Sequence, residues 1–444
     1  MWRVIRRSIG ILLFAGIVAT GLEVGLRAFP GELIPIGWLK RFQSDVRAEI
    51  AQRLSLPNQN QMWELARDDG GPPLQLYKPK MRTKQRFSAE ETSNVARDAE
   101  GFCNPPRDSY DRPRIDLIIM GDSFTGCLAT DPDATWMSRL GQLTDLAVYN
   151  IGKGGIGPYD YLQIFRHFGL AKKPKFALMN IYEGNDLRDA ARYHEHVEAV
   201  QSGGSGHDSA SDRFEPELDY ETLLNNPLGR SSYAANLGLV AIGKAYEGGG
   251  NALSWALGKG QERVNFRYEL RFADGSTVPF NVQNADENEV HYARRLRHGE
   301  VQLAAFDEAL ARFVAWGREH DFRPIVSYAP SAYTAYADFV AFEDAALTEL
   351  MPWFSEQQRA YLRRKADELG FVFVDLTPAL QVAAHRLQDE ELLYYPTNVH
   401  YTPSGHRVVA DALAPVIREL RERAPGVGEA ARTTDKTHTS AVTR

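Results

Sequence analysis

Between residues 113 and 190 the chain alternates short apolar runs with segments of helical spacing. IDLIIM (115–120), LAVYN (146–150) and FALMNI (176–181) each read as a strand buried on both faces. Helices are expected around Trp136–Thr144 and through Tyr161–Leu170. The alternation breaks after Asp189, where roughly 190–295 reads as an insertion. Within it, QSGGSGHDSASD (201–212) is of low complexity, and NFRYELRFADGSTVPFNV (265–282) predicts a β-hairpin turning at Asp274-Gly275. The pattern then resumes. Leu303, Phe306, Leu310 and Phe313 keep helical spacing, PIVSYAP (324–330) and FVFVD (371–375) predict two further strands, and a helix carrying Val408, Leu413, Val416 and Leu420 closes the domain. Strands separated by helices imply a parallel sheet covered on both faces.

The N-terminus follows different rules. Arg3, Arg6 and Arg7 precede an uncharged run from Ile9 to Leu22, and positive charge ahead of an apolar run holds that end on the cytoplasmic side. The run is shorter than the roughly 20 residues of a span. Continuing the helix to Phe29 supplies the length, with Glu23 and Arg27 paired one turn apart. Residues 1–30 are therefore expected to be a single-pass inner-membrane anchor, or else a signal peptide cleaved near Ala19-Thr20-Gly21. Either puts the rest in the periplasm or outside the cell. Residues 31–112 read as a juxtamembrane lead-in, 113–425 as the main domain and 426–444 as a disordered tail.

Composition removes some possibilities. Of 444 residues, 43% are hydrophobic and 25% charged, which suits one large globular domain or two modest ones. A net charge of −7 supplies no basic surplus for nucleic acid. Two cysteines, Cys103 and Cys127, could pair, but they make neither a disulfide framework nor a metal-binding motif. Cys127 reads as a buried packing thiol rather than a nucleophile, because no base is placed for it. His194 and His196, two apart in an expected loop, lack further ligands, so neither a metal nor any other cofactor is expected.

Four segments carry candidate chemistry. MGDSFTG (120–126) sets Ser123 directly after a buried strand, where open parallel sheets collect ligands; the bland reading is a capping serine. YNIGKGGIGPYDY (149–161) offers glycines that let backbone N–H groups approach a ligand, or is simply a flexible loop. YEGNDLRD (182–189) offers the Asn185 amide to a developing oxyanion, or is simply a turn. TNVHYTPSGH (397–406) places His400 before the last helix.

With GDSF, the glycine loop, GND and the C-terminal histidine in this order, the chain resembles the SGNH (GDSL-type) hydrolases over about 113–190 and 300–425. The resemblance implies a flavodoxin-like three-layer α/β/α sandwich. It implies Ser123 as nucleophile, His400 as base, and the Ser123 N–H, the Gly155 N–H and Asn185 as the oxyanion hole. It implies an ester hydrolase acting on an envelope carbohydrate or lipid ester; an O-acyltransferase acting on a polysaccharide and a non-catalytic envelope binding protein are the alternatives. This sequence departs from the pattern at one point: the aspartate usual two or three residues before the histidine is replaced by Asn398 or Thr397. The Asn398 side chain, a backbone carbonyl or another carboxylate, with Asp375 the first candidate, could orient His400. Asp375 could equally cap the next helix. Asp122 and Asp186 are expected to bond loop backbone, His406 to be structural, and Trp136, Tyr159 and Tyr161 to pack the core or stack on a sugar.

Overall fold

The computed structural model describes residues 16, 18–34, 36–54, 62–86, 92–128, 130–202, 223–224, 226–256, 265–281, 287–388 and 390–423. Most of the apolar run from Ile9, most of the low-complexity stretch and the whole 426–444 tail fall outside them. Two compact units are present: Met1–Gln85 with Glu195–Arg263, and Arg86–His194 with Val264–Arg444.

The second unit is built on five parallel strands: β1 (Leu117–Gly121), β2 (Val148–Asn150), β3 (Phe176–Tyr182), β4 (Arg323–Ala329) and β5 (Val372–Asp375). Their order is β5-β4-β3-β1-β2, which is the flavodoxin-like 2-1-3-4-5 arrangement. Every residue of β1 and β3 is buried, so helices must cover both faces. On one side α1 (Trp136–Thr144) packs on the last helix, α7 (Pro403–Arg423). A second group comprises α2 (Pro158–Ile164), α4 (Asp307–Glu319) and α5 (Leu347–Leu369). Between these lie α3 (Asp186–Gln201) and α6 (Thr377–Leu387) in chain order.

Strand register fixes where loops meet. Gly121 stands beside Asn180, and Tyr182 beside Ala329, so β1, β3 and β4 end together. The order reverses between β1 and β3, which opens a crevice at their carboxyl ends.

The expected elements appear within a residue or two, with three differences. α2 begins at Pro158 and passes at Phe165 into a π-helical turn, ahead of the expected stretch. α3 runs on to Gln201, so His194 and His196 stand on a helix and not in a loop. The hairpin Tyr268–Arg271 with Thr277–Phe280 forms as its turn sequence requires, Gly275 taking φ of +89°, but Val340–Phe342 joins it as a third strand.

The first unit gathers Leu26, Phe42, Val46, Ile50, Tyr233 and Val240 into its own core. Glu23 pairs with Arg27 at 2.7 Å and also accepts the backbone N–H groups of Tyr233 and Ala234 at the start of the helix Tyr233–Ala256. Among the described residues no helix is long and apolar enough to cross a membrane.

Candidate active site

The turn at Ser123 is set by the residues on either side of it. A Cβ on Gly121 would meet Thr125 Oγ1 at 2.2 Å, so only glycine allows the strand to fold back this tightly. The Asp122 carboxylate then accepts the Phe124 N–H at 2.9 Å, and the Thr125 N–H donates to the Asp122 carbonyl at 3.1 Å. Phe124 is driven inward, stacked on Tyr182 at 4.0 Å on one side and on His400 at 4.8 Å on the other. Ser123 itself stays partly exposed at the crevice.

His400 comes from a tight loop closed by the Tyr394–Tyr401 bridge and by Val399 N–H donating to the Tyr395 carbonyl at 2.8 Å. Its Nε2 lies 2.8 Å from Ser123 Oγ and its Nδ1 2.7 Å from the main-chain carbonyl of Asn398. A carbonyl can only accept, so Nδ1 carries the hydrogen and Nε2 is left to accept from the serine hydroxyl. The Asn398 side chain is turned elsewhere: its Oδ1 accepts the His400 backbone N–H at 2.9 Å. Asparagine 398 therefore supplies the orienting atom from its backbone and not from its amide. Asp375 is remote from this role. It pairs with Arg359 and Arg363 and accepts the Thr377 N–H at the start of α6.

Between Asn398 and His400, Val399 has φ of +54°. For a β-branched residue this is an uncommon and strained conformation, costing on the order of 1–3 kcal/mol. Burial pulls the His400 pKa down to about 4 against the opposing Asn398 bond, so the imidazole is neutral at pH 7.

The glycine loop lies against the turn at Ser123. A Cβ on Gly154 would be 3.4 Å from Ser123 Cβ, and one on Gly126 would be 3.0 Å from Gly154 N. Gly155 follows with φ of +75° and is exposed. Asn185 stands three residues beyond Tyr182. Its Nδ2 donates to Asp189 at 3.2 Å, while its Oδ1 is buried with no partner among the described residues. Asp189 is gripped in turn by the Arg188 guanidinium at 2.8 and 3.2 Å.

The remaining candidates settle into support. Asp186 accepts the Tyr182 N–H at 2.8 Å and the Tyr161 hydroxyl at 2.5 Å, and burial together with the Asp122 charge raises its pKa. His406 accepts the Trp136 N–H at 3.2 Å. Trp136, Tyr159 and Tyr161 are buried, which leaves them no face for a sugar. His194 bonds the Tyr159 hydroxyl, and among the described residues no cluster of metal-ligating side chains exists. Cys127 is not a free thiol: it is joined to Cys103, tying the turn after Ser123 to the segment that precedes β1. Lys153, Asp189 and Val399 carry no signal in the sequence that would have singled them out.

No protein-family model matches this chain, and no curated protein matches it. Solved structures similar to it include a candidate lipolytic protein of the G-D-S-L family from Desulfitobacterium hafniense DCB-2, at 13% identity, covering 68% of this chain and 99% of that one, with a TM-score of 0.32. The acetyl xylan esterase AlAXEase is 11% identical over 68% of this chain and 100% of its own, with a TM-score of 0.34. A catalytic mutant of Axe2, an acetylxylan esterase from Geobacillus stearothermophilus, is 13% identical over 68% and 94%, with a TM-score of 0.33. At these values the likenesses bear no weight; the fold rests on the strand order and the chemistry on the geometry.

Proposed function

We propose that the protein is a serine ester hydrolase working through an acyl-enzyme. The observation that carries this reading is the hydrogen-bonded chain from Ser123 Oγ through His400 to the Asn398 carbonyl, 2.8 and 2.7 Å long. Ser123 Oγ attacks the ester carbonyl carbon while its proton passes to His400 Nε2. The oxyanion is met by the Ser123 and Gly155 N–H groups and the Asn185 amide. Collapse expels the alcohol, which takes the proton from His400. Water, deprotonated by the same imidazole, then releases the acid. An incoming sugar hydroxyl in place of that water would make the reaction an O-acyl transfer by the same steps.

The test is labelling with a fluorophosphonate. The wild type is expected to label and Ser123→Ala not to; a folded wild type that stays unlabelled would make this a binding protein instead.

The substrate on this reading is an envelope carbohydrate or lipid ester, with the protein held at the inner membrane by residues 1–30 and its catalytic unit outside the cytoplasm. The Cys103–Cys127 disulfide supports that placement, since such bonds persist in oxidising compartments. Protease added to intact spheroplasts should remove the catalytic unit; protection until lysis would put it in the cytoplasm.

A further inference from the structure

The glycine loop holds a lysine at the site with no part in the steps above. Lys153 sits directly before Gly154 and is partly buried, its backbone N–H donating to the Gly121 carbonyl at 3.0 Å at the end of β1. Its Nζ does not extend into solvent. It folds over its own loop and donates to the Gly154 carbonyl at 2.9 Å.

That carbonyl belongs to the peptide unit whose other end is the Gly155 N–H. A trans peptide is planar with C=O and N–H on opposite sides, so whatever fixes the carbonyl fixes the direction of the N–H. Gly155, at φ of +75° with open space where a Cβ would be, has no side chain to hold this plane. Among the described residues its N–H donates to no other backbone group. An ammonium on the carbonyl also polarises the peptide and makes the opposite N–H a stronger donor. Burial lowers the pKa of this ammonium, and Asp160 on α2 opposes the shift while Arg97 adds to it.

We propose that Lys153 is a positioning residue for the oxyanion hole, locking the Gly154–Gly155 peptide with its N–H toward the reacting carbonyl. This rests on the esterase reading. Removing the lysine frees the peptide to rotate, which weakens one donor of the hole in the transition state and leaves ground-state binding alone. The loss of a whole oxyanion donor typically costs 10²–10³ in kcat, so freeing one is expected to cost about tenfold or more.

The experiment compares p-nitrophenyl acetate with its thionoester, C=S in place of C=O, on wild type, Lys153→Met and Lys153→Arg. Sulfur is a poor hydrogen-bond acceptor, so thionoester turnover depends little on the hole. In Lys153→Met, kcat for the oxoester should fall at least about tenfold with KM within about twofold, the thionoester rate should fall much less, and Arg should restore most of the oxoester rate. The ratio of the two rates is taken on one sample, so it is independent of how much of the variant is folded. An unchanged ratio overturns the role of Lys153, even where both rates fall. A wild type inert to both esters and to fluorophosphonate overturns the esterase reading itself, and the inference with it.

Discussion

Two neighbouring pockets at the carboxyl edge of the sheet solve the problem of a covered titratable group in opposite ways. At Glu183, one residue past the end of β3, a fully buried carboxylate is met by the Ser331 N–H at 3.1 Å and by the Thr334 and Ser355 hydroxyls at 2.8 and 3.2 Å. At His400 the imidazole has one carbonyl at its back and, among the described residues, no carboxylate bonded to it. The fold can house a buried acid, since Glu183 is one, two residues before Asn185. At the histidine it supplies direction without charge. The lesson is that tautomer and orientation, which a carbonyl provides, are separable from stabilisation of the imidazolium, which it does not.

The largest effect expected from breaking this contrast is on stability. Glu183→Ala strands three donors in a sealed pocket, each costing about 1–3 kcal/mol when left unpaired. A loss of about 3 kcal/mol or more in unfolding free energy should appear in urea melts. A variant within 1 kcal/mol of wild type, but with collapsed esterase turnover, would move Glu183 from the structural side of the comparison to the catalytic one.

What the sequence revealed divides along similar lines. Strands such as FALMNI are legible because burial on both faces leaves an unbroken apolar run, and Ser123, Asn185 and His400 because each stands at the end of such a run or before a long helix. The sequence leaves the orienter of His400 open between the Asn398 side chain, a backbone carbonyl and another carboxylate such as Asp375, since a main-chain carbonyl belongs to every residue and leaves no mark. Val399 at positive φ is invisible for the converse reason: tertiary contacts impose a conformation that its side chain disfavours. The Cys103–Cys127 bond was readable only as a possibility, as two cysteines 24 residues apart carry no spatial information. The association of Glu23 with the helix start at Tyr233, some 210 positions away, is likewise beyond local pattern.

A smaller effect tests the histidine side directly. In the proposed reaction His400 must be neutral to take the serine proton, and its pKa is lowered to about 4, so kcat/KM should rise with pH to half its plateau near pH 4 rather than near 6.5. Asn398→Asp keeps an oxygen to accept the His400 backbone N–H, so the loop should survive. It adds a negative charge beside the imidazole, which favours the protonated form and should move the acid limb up by about one unit or more. Turnover should rise less than about tenfold, because the carbonyl remains the acceptor at Nδ1 and the new charge acts only through space. A thousandfold rise would mean that the carboxylate had taken Nδ1 from the carbonyl. An acid limb that stays put would mean that the imidazolium feels nothing at position 398, and that the missing aspartate was never the reason for the low pKa.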